Sequence, residues 1–173
     1  MSYETDTGGL FNSTAVAAIE AVHGADPVHE RAVVRAFFAA RLEAALADPS
    51  RLHDDPTLAI QGRPEQFELP ALNLSTRDES SQPYHKEPFR VRRELELGVD
   101  IYAAETDDAL VELVVDAIAL GVETLVLSDE DAWPASIESV DLRSSERSFN
   151  SDGTRRLGVC RLAFTIIYTT TTP

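Results

Sequence analysis

An alternating stretch, FRVRRELELGVDIYA at Phe89–Ala103, constrains the fold of this chain more than any other feature. Every odd position in it is apolar except Arg93, and every even position is polar or charged except Gly98. Such alternation predicts a β-strand with one buried and one solvent-facing side. At about 3.3 Å per residue the strand would span roughly 50 Å, well beyond the usual strand. We therefore expect it either to bend or to outrun the core of one subunit, where a neighbouring chain covers the rest.

The segments on either side predict an α+β fold, a mostly antiparallel sheet with two main helices packed on one face. Residues 122–127 fit either a continuing helix or a short strand. The predicted order is α-β-β-β-α-β-β. The first helix is capped by Asp26 and stopped by Asp48-Pro49, and the second is capped by Thr106. Besides the long strand, strands are predicted at 57–61, 69–75, 137–143, with a bulge after Ile137, and 156–169.

One α+β domain is predicted over residues 26–169 of the 173-residue chain. Residues 1–25 form an N-terminal extension, loose or with a short helix at 15–22, and residues 170–173 form a frayed tail. No run approaches the ~20 apolar residues that cross a bilayer, and the acidic N-terminus is unlike a signal peptide. We expect no membrane association and an intracellular chain, which includes a particle assembled in a host cytoplasm.

The formal net charge of −15 predicts long-range repulsion of nucleic-acid backbones. Lys86 is the single lysine among 15 basic residues. Many carboxylates with almost no lysine fit the salt-rich cytoplasm of a halophilic host, and they also fit a GC-rich genome that favours arginine codons. Folding measured against KCl concentration separates the two explanations.

The sequence contains no GxGxxG, P-loop or GxSxG motif, and its four histidines lack metal-site spacing. The acidic turns at 53–55 and 129–131 could attract a cation, but solvated turns explain them more simply. Cys160 lies within the last predicted strand, where a buried small apolar role is expected rather than a catalytic thiol. We therefore expect no enzymatic activity, no cofactor and no metal.

A polar stretch, Thr76–Pro88, is predicted as a loop of about a dozen residues between two strands, long for such a connection. It is either a contact element that orders against a partner or a mobile solvated loop. Just beyond it lies a basic cluster that either pairs with acidic neighbours across the sheet or reaches the carboxylates of an adjacent subunit. Our candidate interface residues are Arg77, Tyr84, His85, Lys86, Arg90, Arg92, Arg93, Arg155 and Arg156.

The order and pattern of these segments over Pro27–Tyr168 resemble the tail terminator proteins of long-tailed, siphovirus- and myovirus-like viruses. The most suggestive part of the resemblance is the last segment, where a turn is followed by Arg-x-Leu-Gly and by an alternating strand that ends in Ile-x-Tyr. The segment before Asp26 is outside the pattern. The matching segments are ERAVVRAFFAARLEAALA, LPALNLS, FRVRRELELGVDIYA, TDDALVELVVDAIAL, SIESVDLR and DGTRRLGVCRLAFTIIY.

The resemblance implies a structural virion protein at the head-proximal end of the tail. Such proteins form a ring, typically a hexamer, that caps the tail tube, stops its polymerisation and joins the tail to a neck or head-completion protein. The genome passes through the ring without specific binding. Two other hypotheses stay open: a different neck or tail-completion connector of the same virion, and a small acidic ligand-binding or enzymatic domain. Gene position separates the connectors, and a pocket lined by polar groups would favour the enzyme.

Overall fold

The computed structural model describes residues 30–46, 56–60, 69–86, 89–128, 130–152 and 155–171. The predicted α+β architecture and element order are confirmed. A 3₁₀ turn at Glu130–Ala132 precedes the fourth strand. The main elements are α1 (Glu30–Leu46), β1 (Thr57–Ile60), β2 (Ala71–Lys86), β3 (Phe89–Glu105), α2 (Asp108–Leu127), β4 (Ile137–Asp152) and β5 (Arg155–Thr171).

One five-stranded sheet, in the order β1-β2-β3-β5-β4, runs through the structure. Only the short β1 is parallel to its neighbour, and β2–β3 and β4–β5 are long antiparallel hairpins. Arg90 lies opposite Thr171, and Glu105 lies opposite Arg156. The two hairpin tips therefore project from opposite ends of the sheet.

The alternating pattern of β3 places its odd positions in the core, as predicted. Leu95, Leu97, Val99 and Ile101 are fully buried, and they face similarly buried side chains on β5. Both helices cover this side: α1 packs on β1 and β2, and α2 packs on β3, β5 and β4. Each large apolar side chain buried there contributes about 1.5–3 kcal/mol of transfer free energy.

Both helices lie close to the predicted positions, and one predicted cap is wrong. Asp107, not Thr106, caps α2: its Oδ1 accepts from the backbone N–H groups of Ala109 at 2.8 Å and Leu110 at 3.2 Å. A carboxylate at this position also faces the positive end of the helix dipole. Residues 122–127 continue α2. On α1, Arg31 lies close to Glu79 of β2, and Arg35 donates a hydrogen bond to the Thr76 hydroxyl of β2.

The predicted loop at Thr76–Pro88 is wrong over most of its length, because β2 continues to Lys86 in register with β3. The stretch is polar because its tip is exposed, and main-chain pairing with β3 orders it without an apolar side. Two register shifts, at 76/79 and 83/85, interrupt the pairing. The second shift coincides with Pro83, a residue that sheets tolerate at bulges and edges.

The second hairpin is also longer than predicted. β4 runs to Asp152 instead of residue 143, with the expected bulge after Ile137 and another after Leu142. β5 extends to Thr171, so the frayed tail at 170–173 is wrong for its first two residues. Predictions for 1–29, 47–55, 61–68, 87–88, 129, 153–154 and 172–173 lie outside the described residues.

Candidate interaction surfaces

The nine candidate interface residues do not form one surface. Those before residue 94 lie along the β2–β3 hairpin, and Arg155 and Arg156 lie at the opposite end of the sheet. Within the β2–β3 hairpin, three arginines are engaged in ion pairs inside the chain, whereas Tyr84 and Arg90 are exposed.

Arg93, the residue that interrupts the apolar row of β3, belongs to a polar cluster on the helix-covered side. Its guanidinium donates to Glu79 Oε1 at 2.7 Å, and the buried Tyr168 hydroxyl donates to the same oxygen at 2.9 Å. Arg31 on α1 lies 3.7 Å from Glu79 Oε2. Burial raises the pKa of Tyr168, and the hydrogen bond to Glu79 raises it further. The cluster therefore neutralises the one charge placed in the apolar row of the strand.

Arg92 points to the other side of the sheet and pairs with Glu138 on β4. Its Nε donates to Glu138 Oε2 at 2.8 Å, and the Thr169 hydroxyl donates to the other carboxylate oxygen. The Thr169 hydrogen bond, followed by that of Arg92, lowers the pKa of Glu138. For Arg92 and Arg93 the structure shows the pairing within the chain that was one of the two sequence-based alternatives.

Arg77 crosses the side of the sheet that faces away from α1 and α2, and its guanidinium ends at the nearly buried Asp100. Its Nη2 donates to Asp100 Oδ1 at 3.1 Å, and Arg161 Nε donates to the same oxygen at 2.8 Å. The Arg77 guanidinium lies so close to Gly98 that a Cβ there would be 2.9 Å from Nε. Glycine is thus the residue that lets this arginine lie flat against β3, which explains the break in the polar row.

The pairing of charges continues around Asp100. Glu96 Oε1 lies 3.5 Å from Arg77, and its Oε2 lies 3.8 Å from Arg143 on β4. The Asp100 hydrogen bond raises the pKa of Arg161. Burial, and then the Asp100 charge, raises the pKa of Tyr102. This side of the sheet is therefore a polar surface whose charges are largely compensated within the chain.

Two of the remaining candidates, Tyr84 and Arg90, are exposed at the tip of the β2–β3 hairpin. Tyr84 is 61 % exposed, and Pro83 and Arg90 are also exposed. His85 and Lys86 belong to β2 by their backbone, and their side chains lie outside the described part. Residues 83–92 contain three basic residues and one acidic residue in a chain of net charge −15. We call residues 83–92 the basic tip.

At the opposite end of the sheet, Arg155 is exposed and Arg156 pairs with Asp108 of α2 at 3.0 Å. Both partners of this pair are well exposed, so it contributes at most about 1 kcal/mol. Phe149 is partly exposed nearby, and it packs close to Gly158.

The outer side of α2 is a surface that the sequence analysis missed. Leu113 and Leu120 are 67 % and 66 % exposed, and Leu110 is also exposed. The buried side of the helix instead comprises Val111, Val114, Val115, Ile118, Ala119, Val122, Leu125 and Val126. The sequence contained a signal for this surface, because the apolar residues of α2 cover more of the helix than one core-facing stripe requires.

No protein-family model matches this sequence, and no curated protein matches it either. The likeness to tail terminators therefore rests on the pattern of its own residues.

Among the described residues, no cluster of three or more His, Cys, Asp or Glu side chains is placed to hold a metal ion. None of the described helices is long and apolar enough to span a bilayer. Cys160 is buried, at 3.7 Å from the Ser145 hydroxyl. Two exposed surfaces stand out, the basic tip and the outer side of α2.

Proposed function

We propose that this chain is a structural virion protein that forms a ring, caps the tail tube, stops its polymerisation and joins the tail to a neck or head-completion protein. The observation that carries the proposal is the pair of long hairpins whose tips leave the helix-covered core at opposite ends of one sheet. A ring between tube and neck has to make contacts at both of its ends. Strands of 16 or 17 residues, spanning roughly 50 Å, provide such reach.

The charge distribution agrees with a passage for DNA. On the side of the sheet that faces away from α1 and α2, arginines pair with carboxylates of the same chain, around Asp100 and Glu138. If this side of the sheet lines the passage, a chain of net charge −15 offers few free cationic side chains to the phosphate backbone of DNA. DNA could then slide through the ring without being held.

The test combines the purified chain with a tail-tube protein from the same genome, in about 1 M KCl so that self-repulsion is screened. Electron microscopy should show rings on tube ends, and tubes with rings should stop growing. A chain that stays monomeric and leaves tube growth unchanged would overturn the proposal. Binding to the neck or portal proteins alone would favour the alternative, a different connector of the same virion.

A shortened hairpin provides the matched variant. Ser81 and Arg93 lie opposite each other, so an Asn-Gly turn in place of residues 82–92 removes the tip and retains the Glu79 cluster. The control shortens the other hairpin by an Asn-Gly turn in place of 151–156, between Asn150 and Leu157. Both variants should fold. If the two tips serve the two ends of the ring, each variant should lose a different contact, and equal loss of both contacts would argue against that division.

A further inference from the structure

Three large apolar side chains on the described surface are more than 60 % exposed: Tyr84, Leu113 and Leu120. The part of the fold that the structure describes does not bury them. The tyrosine lies on the basic tip and the two leucines lie on α2, so they belong to two separate surfaces. Exposed apolar groups bordered by polar ones are typical of protein contacts.

The leucines form a continuous line along α2. Leu110, Leu113, Ala117 and Leu120 are spaced i, i+3, i+7 and i+10, the spacing of a packing seam along one side of a helix. We call these four residues the α2 seam. Leu113 and Leu120 together expose an apolar strip on both sides of the small Ala117, which leaves a shallow depression between two ridges.

The border of the α2 seam is acidic. α2 carries four carboxylates and no basic residue, and Glu112, Asp116 and Glu123 lie along one side of the seam. Arg147 of β4 is 3.3 Å from Asp116, in a solvent-exposed pair. The remaining carboxylates still give this side of the helix a negative field, which complements the charge of the basic tip.

Pairing of the α2 seam with itself is disfavoured by the same charges. A two-fold axis between two antiparallel α2 helices would place the carboxylates of both copies on the same side of the contact, where they repel each other. A parallel pair would bury the seam but leave the carboxylates without a cationic partner. A partner surface with an aromatic or apolar side chain and basic neighbours would avoid the repulsion and would also supply cations for the carboxylates. The basic tip has this composition.

We infer that the basic tip of one copy docks on the α2 seam of the next copy, with Tyr84 between Leu113 and Leu120 and with Arg90 facing the carboxylates of α2. The contact joins two different surfaces, so each copy offers one of each to its neighbours. Such head-to-tail contacts close into rings when the rotation between copies permits. This inference rests on the proposed ring and specifies which surfaces build it.

Cysteine cross-linking tests the contact directly, because the native Cys160 is buried and leaves the introduced thiols as the reactive ones. The variants are Tyr84→Cys and Leu113→Cys, treated with a short bismaleimide in about 1 M KCl, singly and as a mixture. The expected result is a cross-linked dimer in the mixture only. The control replaces Tyr84→Cys by Ser148→Cys, at an exposed position of β4, and should give no dimer with Leu113→Cys.

Each other outcome overturns the inference. Cross-linking of Leu113→Cys alone would mean that α2 pairs with itself, and cross-linking of Tyr84→Cys alone would mean that tips meet tips. The mass of the uncross-linked protein is measured by sedimentation in the same buffer. A ring-sized species without the mixed cross-link would refute this contact and leave the proposed ring intact. A chain that is monomeric with and without tube protein would refute both.

A charge reversal provides a second readout. Arg90→Glu should weaken association by about tenfold, because it places like charges in contact. A mixture in which Arg90→Glu is combined with a copy carrying Glu112→Arg should recover the contact between that tip and that seam. Failure of the second variant to restore association would contradict the pairing of these two surfaces.

Discussion

The inner and outer sides of α2 are built from the same kinds of side chain but lie in different environments. Val115, Ile118 and Val122 are fully buried against the sheet, whereas Leu113 and Leu120 are about two-thirds exposed. The core of one chain accounts for the first group only. The difference teaches that an apolar helix can serve the fold on one side and an assembly on the other, and the predictions below separate these two contributions.

The largest expected effect is on the inner side. Ile118→Ala should lower the free energy of unfolding by about 2–5 kcal/mol, because it removes buried methyl groups and leaves a cavity. Leu113→Ala, measured at a protein concentration where the chain is monomeric, should change it by at most about 0.5 kcal/mol. Denaturant unfolding followed by circular dichroism measures both. Equal losses at the two positions would remove the distinction between the two sides.

A second effect concerns polar groups beneath α1. Glu79→Ala should lower the free energy of unfolding by about 1–3 kcal/mol, because Arg93 and the Tyr168 hydroxyl lose their shared acceptor in a poorly solvated place. Asp78→Ala, at the exposed neighbouring position, is the matched control and should have little effect. If both variants unfold at the same denaturant concentration, the Glu79 cluster does not stabilise the hairpin.

A third and smaller effect depends on alkaline pH. The pKa of Tyr168 is raised in the folded chain, so the unfolded chain releases this proton first, from about pH 10. The contribution of the neutral hydroxyl is therefore fully present below that pH and is lost as the pH rises towards the folded pKa. Tyr168→Phe should be less stable at pH 8 and should show a shallower decline above pH 10. Parallel declines in the two proteins would contradict the assignment.

The smallest effect concerns Glu138, which lies near the surface. Its lowered pKa means that the pairing with Arg92 and Thr169 stabilises the fold above the ordinary carboxyl pKa. The stabilisation is lost as the pH falls through the lowered pKa. Because the pair is exposed, Glu138→Gln should cost at most about 0.5 kcal/mol at pH 7 and nothing at the acid end. A difference that grows on acidification would have the wrong sign.

The sequence predicted the elements whose patterns reflect burial. The alternation of β3 identified its core-facing positions, and β5 was found for the same reason. The polar residues 76–86 were mistaken for a loop because β2 is ordered there by main-chain pairing with β3. Hydrogen bonds of the backbone leave no trace in side-chain periodicity.

The interface candidates show a related limit of sequence reasoning. Local basic residues were grouped by their spacing, but Arg92 and Arg93 point to opposite sides of the sheet and pair with residues distant in the chain. Gly98 interrupts the row of polar residues on β3, and the sequence alone does not show why. In the structure, its lack of a side chain makes room for Arg77. For α2, periodicity identified an apolar helix but could not say which side faces the core.

The most direct test of the account is the mass in solution of the wild type and of Leu113→Glu/Leu120→Glu in about 1 M KCl, with the unfolding midpoint of each. Both substitutions lie at exposed positions, so the two proteins should unfold alike when both are monomeric. The account predicts a ring-sized species for the wild type, alone or on addition of tube protein, and a folded monomer for the variant. A folded variant that assembles as the wild type does would contradict the claim that the outer side of α2 is an assembly surface.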